Sequence, residues 1–210
     1  MKKGILIVIS GFSGAGKGTL VKKILETYDN YALSVSMTTR QPREGEKDGV
    51  AYFFVTKQKF EEQIQKDGFV EYASYCDNYY GTPRAYVEEQ LNNGKDVILE
   101  IEIQGALQIK KKFPESLLLF VTPPSAKELE ARLRGRGTET PEVIAKRLAR
   151  AGEESEGMGA YDYIVVNDDL DRCAEELHSI VEAARNQPDR CKEFIEKIRE
   201  ELKEFSKGAN

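Results

Sequence analysis

Short apolar runs alternate with longer amphipathic stretches along most of the chain, a pattern that predicts an α/β fold with a mainly parallel sheet. The runs are rich in Ile, Val and Leu and show little alternation, which is typical of strands that helices cover on both faces. They predict core strands at residues 5–10, 97–101, 117–121 and 163–166. The amphipathic stretches predict core helices at residues 17–28, 104–113, 126–134, 141–154 and 170–185.

The pattern changes from residue 34 onward to short aromatic and β-branched runs that Pro and Gly interrupt. We predict an inserted lobe with its own mixed sheet, strands near 34–38, 51–55 and 69–74, and helices near 57–66 and 84–93. A later stretch rich in Arg, Gly and Thr predicts a short mobile lid. The chain then divides into a core (residues 1–33, 95–134 and 151–187), the inserted lobe (34–94), the lid (135–150) and a C-terminal helical extension (188–210).

The C-terminal extension carries apolar residues near helical spacing, among them Phe194, Ile198, Leu202 and Phe205. Such a stripe predicts docking, either on the body of the protein, which we favour, or on a second subunit. The sequence leaves a monomer and a homodimer open.

Composition and charge narrow the possible partners. The 210 residues are 40% hydrophobic and 32% charged, with a mean hydropathy of -0.52, as is typical of a soluble globular protein. The net charge of -5 gives no bulk attraction to nucleic acid, and no apolar stretch has the length of a membrane span, so we expect neither partner. Cys76, Cys173 and Cys191 lack metal-ligand spacing and suggest reduced thiols in the cytoplasm. His178, in a charged helical stretch, is predicted to be a surface side chain.

A glycine-rich segment directly after the first predicted strand is the strongest chemical signal. It consists of Gly11, Phe12, Ser13, Gly14, Ala15, Gly16, Lys17, Gly18 and Thr19, and it opens the first predicted helix. In such a P-loop, backbone N–H groups and the helix dipole hold nucleotide phosphates, and Lys17 meets the β- and γ-phosphates. Gly18 occupies the usual position of the magnesium-binding hydroxyl. Thr19, one residue later, therefore either binds Mg²⁺ itself or leaves the ion to phosphates and waters.

Two arginines in the inserted lobe, Arg40 and Arg43, lie three residues apart beside Pro42. Fork-shaped guanidinium donors at this spacing suit a single phosphate group. Tyr52 and the segment 79–82, which we interpret as a turn, add hydroxyl donors. Taken separately, these residues equally fit a solvated face or a packed strand.

Six motifs in a fixed order make the chain similar to the guanylate kinase family. They are Ser-x-Thr-Thr-Arg-x-Pro-Arg at 36–43, Phe-Val-Glu at 69–71, Tyr-Tyr-Gly-Thr at 79–82, Leu-Glu-Ile-x-x-Gln-Gly at 99–105, Arg-Gly-Thr-Glu-Thr at 136–140 and Val-Asn-Asp at 166–168. The resemblance covers residues 4 to 185 and stops short of the C-terminal extension. It implies an α/β P-loop enzyme that transfers the γ-phosphoryl group of Mg·ATP to GMP, and also to dGMP.

The resemblance assigns the GMP site to the inserted lobe. Glu71 would accept from guanine N1–H and N2–H₂, and Ser36 and Thr82 would donate toward the O6/N7 edge. The phosphate cage would comprise Arg40, Arg43, Tyr52 and Tyr80, with Gly81 beside it. The family usually has aspartate where this chain has Glu102. Glu102 would contact the guanine amino group or the magnesium water shell, or would only cap the next helix.

The resemblance assigns phosphoryl transfer to four cationic side chains: Lys17, Arg43, Arg136 and Arg147. Asn167 and Asp168 would contact the adenine edge of ATP, and Thr19 and Glu100 would serve Mg²⁺, in part through water. Two alternatives remain. One is an inactive guanylate kinase-like domain that binds phosphopeptides, and the other is a kinase for another nucleoside monophosphate such as AMP.

Overall fold

The computed structural model describes residues 3–75, 77–135, 137 and 140–207. Its strands are β1 (Leu6–Gly11), β2 (Tyr31–Leu33), β3 (Met37–Thr38), β4 (Phe53–Phe54), β5 (Phe69–Tyr75), β6 (Asn78–Pro83), β7 (Asp96–Glu100), β8 (Leu117–Thr122) and β9 (Tyr163–Val166). Its helices are α1 (Lys17–Thr27), α2 (Lys57–Gln65), α3 (Arg84–Asn92), α4 (Ile103–Lys112), α5 (Ala126–Gly135), α6 (Pro141–Ser155), α7 (Leu170–Ala184) and α8 (Lys192–Lys207). Short 3₁₀ turns lie at Met158–Ala160 and Pro188–Arg190.

Five parallel strands form the core sheet in the order β2-β7-β1-β8-β9. The central strand shows why the apolar runs do not alternate. Ile5, Ile7 and Ile9 pack into one hydrophobic cluster, while Leu6 and Val8 pack into a second cluster on the opposite face. Helices cover both faces, which confirms the predicted α/β fold. The prediction missed β2, which is only three residues long.

The second sheet has the order β4-β3-β6-β5, with β3 and β4 parallel and the other pairs antiparallel. Its core is aromatic, since the Phe60 ring stacks on Phe69 at 4.4 Å and on Tyr79 at 5.2 Å between centroids. The interpretation of residues 79–82 as a turn is wrong, because they lie within β6. A Cβ at Gly81 would lie 3.0 Å from the Phe60 ring, so this glycine permits close packing in a strand.

Helix α6 starts at Pro141, with Thr140 at the N-cap, and runs without interruption past residue 150. A single helix therefore spans the predicted boundary between lid and core. The apolar stripe of α8 is open to solvent: Phe194 is 64%, Leu202 59% and Phe205 78% exposed. The structure thus does not seat this stripe on the body of the protein, contrary to our preference. None of the helices in the described ranges is long and apolar enough to cross a membrane.

His178 is more enclosed than the sequence suggested. Its ring stacks on Tyr28 at 3.8 Å between centroids, and Nδ1 lies 2.8 Å from the Tyr31 hydroxyl. These contacts join α7 to β2 and to Tyr28, the C-cap residue of α1. The His178 side chain is half-buried. The ring therefore has a packing role that a charged helical context does not reveal.

Candidate active site

The glycine-rich segment forms a loop between β1 and α1, as predicted. Gly14 and Gly16 have φ angles of +97° and +89°, which side-chain-bearing residues rarely adopt. Phe12 and Ala15 turn their side chains into the core, so their backbone is what remains for a ligand. The loop borders a cleft of about 270 Å³, lined by Ser13, Gly14, Gly16, Lys17, Gly18, Thr19 and Glu100. Because α1 begins at Lys17, the cleft lies at a helix N-terminus that favours anions.

Asn167 supports this loop from beyond the end of β9. Its amide nitrogen donates to the Ala15 carbonyl at 2.9 Å, and the residue is buried. A Cβ at Gly16 would lie 2.5 Å from that nitrogen, so glycine is required there for space as well as for conformation. No pattern in the sequence indicates this support, because the two residues are 152 positions apart. Contact of Asn167 with adenine stays a prediction.

Asp168, the other predicted adenine contact, lies at the surface. Its carboxylate accepts from the Asp169 backbone N–H at 2.7 Å and pairs with Arg172 on α7. The Asp169 backbone N–H has the larger effect and Arg172 the smaller one, and together they hold the pKa of Asp168 below its usual range. Asp169, not Asp168, is the N-cap of α7 and accepts from the Arg172 backbone N–H.

Lys17 and Glu100 face each other across the phosphate cleft. The Lys17 ammonium donates to the Gly11 and Phe12 carbonyls at 2.7 and 3.2 Å. The Glu100 carboxyl is open to the cleft yet flanked by protein, and this partial burial raises its pKa; Lys17 opposes the rise and Glu102 adds to it. The arrangement sets a cation and a carboxylate at the two sides of one anion-binding cleft.

The carboxylate of Glu100 also fits a magnesium ion bound to nucleotide phosphates. Carboxylate oxygens are the ligands that Mg²⁺ prefers, usually alongside waters and phosphates. A Cβ at Gly18 would lie 3.8 Å from Glu100 Oε2. Position 18, where P-loops often carry a magnesium-binding hydroxyl, is therefore adjacent to this carboxylate. Thr19 lines the same cleft. The donor set present therefore suits a cation that the nucleotide brings with it.

Glu71 lies in β5 with only 5% of its surface exposed. The Thr82 hydroxyl donates to its Oε1 at 2.7 Å, and Thr82 is itself fully buried. Burial raises the pKa of Glu71, while the Thr82 hydroxyl and the Lys112 charge oppose the rise. A Cβ at Gly105 would lie 3.3 Å from Glu71 Oε2, so glycine in α4 keeps space beside the second oxygen. The structure brings Glu71 and Thr82 into direct contact and adds Gly105 and Lys112 beside them.

Arg40 lies against Tyr52 and near Tyr80. Its guanidinium carbon is 5.4 Å from the centroid of the Tyr52 ring, and the Tyr52 and Tyr80 rings are 6.0 Å apart. Burial, followed by the neighbouring Tyr80, raises the pKa of Tyr52, so its hydroxyl stays protonated and able to donate. Three of the four predicted cage residues thus share one surface. The fourth, Arg43, is exposed beside them in sequence.

Ser36 and Gly81 contribute through their backbone. The Ser36 carbonyl accepts from the Phe53 N–H at 2.9 Å, which joins the strands of the lobe, while its side chain is half-buried. Gly81 is enclosed by aromatic rings and pairs with Met37 across the sheet. Both residues therefore help to hold strands β3, β4 and β6 together.

Helix α6 reaches both parts of the site. Arg147 donates to the Ser13 hydroxyl in the P-loop at 3.0 Å. Arg150, one turn later, donates to Glu102 Oε2 at 2.9 Å. Glu102 is the N-cap of α4, but its side chain makes no capping hydrogen bond and instead pairs with the lid helix. Arg136 lies outside the described residues, as does Cys76.

Comparison with known proteins places these features in one family. The family model described as guanylate kinase matches residues 3–184. Guanylate kinase from Clostridioides difficile is 52% identical over 203 residues, which cover 96% of this chain and 99% of that protein. Guanylate kinase from Caldanaerobacter subterraneus subsp. tengcongensis is 50% identical over 200 residues, covering 95% and 97%. Coverage of this extent takes the match into the C-terminal extension, beyond the resemblance that the motifs carried.

A solved structure agrees with the sequence comparisons. The crystal structure of guanylate kinase from Anaplasma phagocytophilum has a TM-score of 0.72, 32% sequence identity and 90% coverage of both chains. Fold, motif order and overall identity therefore agree. The chain belongs to the guanylate kinase family, whose members are ATP:GMP phosphotransferases.

Proposed function

We propose that the chain transfers the γ-phosphoryl group of Mg·ATP to GMP, giving ADP and GDP. The observation that carries the proposal is the buried carboxylate of Glu71, held through Oε1 by Thr82 with Oε2 beside Gly105. Guanine presents two adjacent donors, N1–H and N2–H₂, that match a carboxylate. Adenine presents an acceptor at N1, so its binding would leave acceptors facing each other.

The phosphate of GMP would bind at the surface formed by Arg40, Arg43, Tyr52 and Tyr80. Guanidinium groups and phenol hydroxyls are donors that suit phosphate oxygens. The base pocket at Glu71 and this phosphate surface belong to the same small sheet, since β3 and β5 both pair with β6. One rigid sheet would therefore set the spacing between base and phosphate.

ATP would bind with its phosphates in the P-loop cleft. Backbone N–H groups of residues 13–19 and the Lys17 ammonium would hold the β- and γ-phosphates, after Lys17 leaves the loop carbonyls it now contacts. Glu100 and Thr19 would hold Mg²⁺ beside these phosphates, where the ion would supply positive charge for the transfer. Glu100 would orient the waters of the ion, and Thr19 lies within reach of the same cleft.

The segment 135–150 would close over both substrates. Arg147 already contacts the P-loop at Ser13, so a small movement of α6 would bring its guanidinium onto the transferring group. Arg136 would act beside it. Closure also excludes water, which would otherwise compete with GMP as the acceptor. We further propose a cytoplasmic location, in keeping with the unbridged thiols of Cys173 and Cys191.

A coupled assay with GMP, dGMP, AMP, UMP and CMP tests this function. We expect turnover with GMP, weaker turnover with dGMP, and a GMP preference over AMP of roughly 10⁴-fold in kcat/KM, because a site built for hydrogen bonds rejects a base that leaves them unpaired. Equal use of AMP would assign the chain to another nucleoside monophosphate. Failure with all five substrates, together with binding of a phosphopeptide, would identify the inactive domain instead.

A further inference from the structure

A tight turn in the inserted lobe brings Glu46 back toward the arginines that precede it. The Glu46 backbone N–H donates to the Arg43 carbonyl at 3.1 Å, which closes a four-residue turn. Gly45, the third residue of the turn, has φ of +83°, as a type II turn requires. The turn directs the Glu46 carboxylate onto the Arg43 backbone N–H, at 2.7 Å.

The same carboxylate holds the guanidinium of Arg40. The NH2 nitrogen of Arg40 lies 2.9 Å from Oε1 and 3.0 Å from Oε2 of Glu46. Only 15% of the Arg40 side chain and 22% of the Glu46 side chain are exposed, so this pair is better shielded from water than an ordinary surface salt bridge. Arg40, and next the Arg43 N–H, hold the pKa of Glu46 below its usual range, which keeps the carboxylate ionised at neutral pH.

Further contacts fix the remaining freedom of Arg40. Its NH1 nitrogen donates to the Gln41 carbonyl at 2.7 Å, and its guanidinium lies over the Tyr52 and Phe54 rings at 5.4 and 5.7 Å. An arginine has five N–H groups. The NH2 nitrogen contacts both oxygens of Glu46, one N–H of NH1 is engaged by Gln41, and the Tyr80 hydroxyl is a further neighbour of the guanidinium. These contacts fix the plane of the guanidinium, and its remaining N–H groups can serve a ligand.

We propose that Glu46 is a positioning residue for the phosphate of GMP: it holds the Arg40 guanidinium in the orientation that presents its remaining N–H groups to the phosphate. The proposal rests on the proposed function of the lobe. A long cationic side chain loses rotamer freedom when it binds a ligand, and a site that has already fixed it avoids that cost on binding. Glu46 also limits the local positive charge, since its carboxylate pairs with Arg40 and lies near Arg43.

The opposite role is that Glu46 merely occupies the phosphate position and must leave when GMP arrives. The geometry argues against it. Departure would break the contact with the Arg43 backbone N–H and leave a poorly exposed carboxylate without its partners. The two roles predict opposite changes in affinity when the charge is removed, which makes them separable.

Glu46→Gln tests the proposal, with Glu44→Gln as the matched control. Glu44 belongs to the same turn but is exposed, so its variant removes an equal charge without touching Arg40. We expect Glu46→Gln to raise KM for GMP by roughly 10- to 100-fold, in line with the loss of charge-assisted hydrogen bonds. We expect kcat to change only a few-fold, and KM for ATP and the control variant to stay close to wild type.

Binding of guanosine separates positioning of the phosphate donors from a general effect on the lobe. By calorimetry, Glu46→Gln should weaken binding of GMP and leave binding of guanosine nearly unchanged. Gly45→Ala, which strains the turn without altering charge, should weaken GMP in the same direction. Tighter GMP binding by Glu46→Gln would identify the displaced-carboxylate role, and equal weakening of GMP and guanosine would reduce Glu46 to a fold-stabilising residue. Either result overturns the proposal. Absence of GMP turnover by the wild-type protein would instead refute the proposed function.

Discussion

Replacement of Glu71 by Gln tests the base pocket with almost no change in shape. The amide oxygen can still accept from the Thr82 hydroxyl at the place of Oε1. The amide nitrogen then replaces Oε2, on the side that Gly105 leaves open, and it donates where the carboxylate accepted. One of the two guanine N–H donors would then face an N–H donor instead of an acceptor, and the other would meet a neutral amide oxygen instead of a carboxylate oxygen.

The size of the functional loss follows from the contacts removed. Hydrogen bonds to a charged partner contribute about 1.5 to 3 kcal/mol each. Loss of one such bond lowers kcat/KM for GMP by about 10- to 10²-fold, since about 1.4 kcal/mol corresponds to a factor of ten, and the two facing N–H donors add to this loss. The affinity for ATP should stay unchanged, because Glu71 belongs to the second sheet and not to the P-loop.

The same variant should not lose stability without ligand. Because burial raises the pKa of Glu71, the folded state retains the proton at pH values where the unfolded state has released it. The free energy of unfolding therefore falls as pH rises from the ordinary glutamate pKa through the raised one, and stays lower above it. Gln does not titrate. We expect Glu71→Gln to be at least as stable as wild type at pH 7, with the difference shrinking toward acid pH.

Denaturant unfolding at several pH values and steady-state kinetics measure the two effects. Glu89→Gln, at an exposed position of α3 in the same lobe, controls for the change in net charge. A variant that is stable yet poor with GMP supports the carboxylate as the base reader. Wild-type discrimination between GMP and AMP in Glu71→Gln would refute the reasoning and move base selection to Ser36, Thr82 or Glu102.

Three further variants test the donor side and the lid. Lys17→Ala should lower kcat at least ~10²-fold, as expected for one preorganised transition-state donor, and activity within a few-fold of wild type would exclude it from the mechanism. Arg147→Ala should lower kcat more than it raises either KM, whereas Ser13→Ala, which removes only the contact seen here, should change kcat little. Asn167→Ala should weaken ATP binding and leave GMP binding unchanged, because it removes the hydrogen bond by which Asn167 holds the Ala15 carbonyl of the P-loop. Calorimetry with each nucleotide measures both affinities, and equal losses for ATP and GMP would contradict the prediction.

The core could be predicted from the sequence because its signals are redundant. A strand buried on both faces, such as β1, has an unbroken apolar run (residues 6–9), and the glycine loop that follows limits its length. Helix starts were equally well marked where a residue type fixes them, as Pro141 does for α6. Fold class depends on such patterns, so the α/β prediction did not need any residue's exact contacts.

The second sheet was harder to predict from the sequence, because its strands are short and a glycine there can indicate either a turn or close packing within a strand. Met37–Thr38 and Phe53–Phe54 form only two-residue strands, too short for any periodicity. Gly81 resembles a turn glycine, yet it lies in a strand where rings leave no space for a side chain. Only the position of the Phe60 ring, which helix α2 contributes, shows that Gly81 serves close packing and not a turn.

The motifs predicted which side chains would lie at the site. They did not predict the hydrogen bonds from other residues that hold those side chains in place. Glu71 and Thr82 were predicted to act on guanine separately, whereas the structure shows them hydrogen-bonded to each other. The supports at Asn167 and Glu46 were not predicted at all. A supporting contact needs only one hydrogen bond of correct geometry, and such a bond leaves no periodicity or spacing in the sequence.

The sheet topology explains how residues far apart in sequence reach one cleft. Parallel strands end at the same edge, so β1 delivers the P-loop, β7 delivers Glu100 beside it, and β9 delivers Asn167 two strands away. Ile9 pairs with Glu100 in register, which fixes the height of the carboxylate relative to the loop. In an antiparallel pairing of β1 and β7, Glu100 would lie at the opposite edge.

Strand β7 also links the P-loop cleft to the proposed base pocket, because helix α4 follows it in the chain and Gly105 of that helix lies beside Glu71. Glu100, which lines the P-loop cleft, and Gly105, beside the proposed base pocket, are thus five residues apart in one strand–helix unit. That unit pairs with β1 along four registered positions. The distance between donor and acceptor sites is therefore set by backbone hydrogen bonds in the core rather than by loops. In-line transfer is sensitive to displacements near 1 Å, so rigid core elements suit this task better than surface segments do.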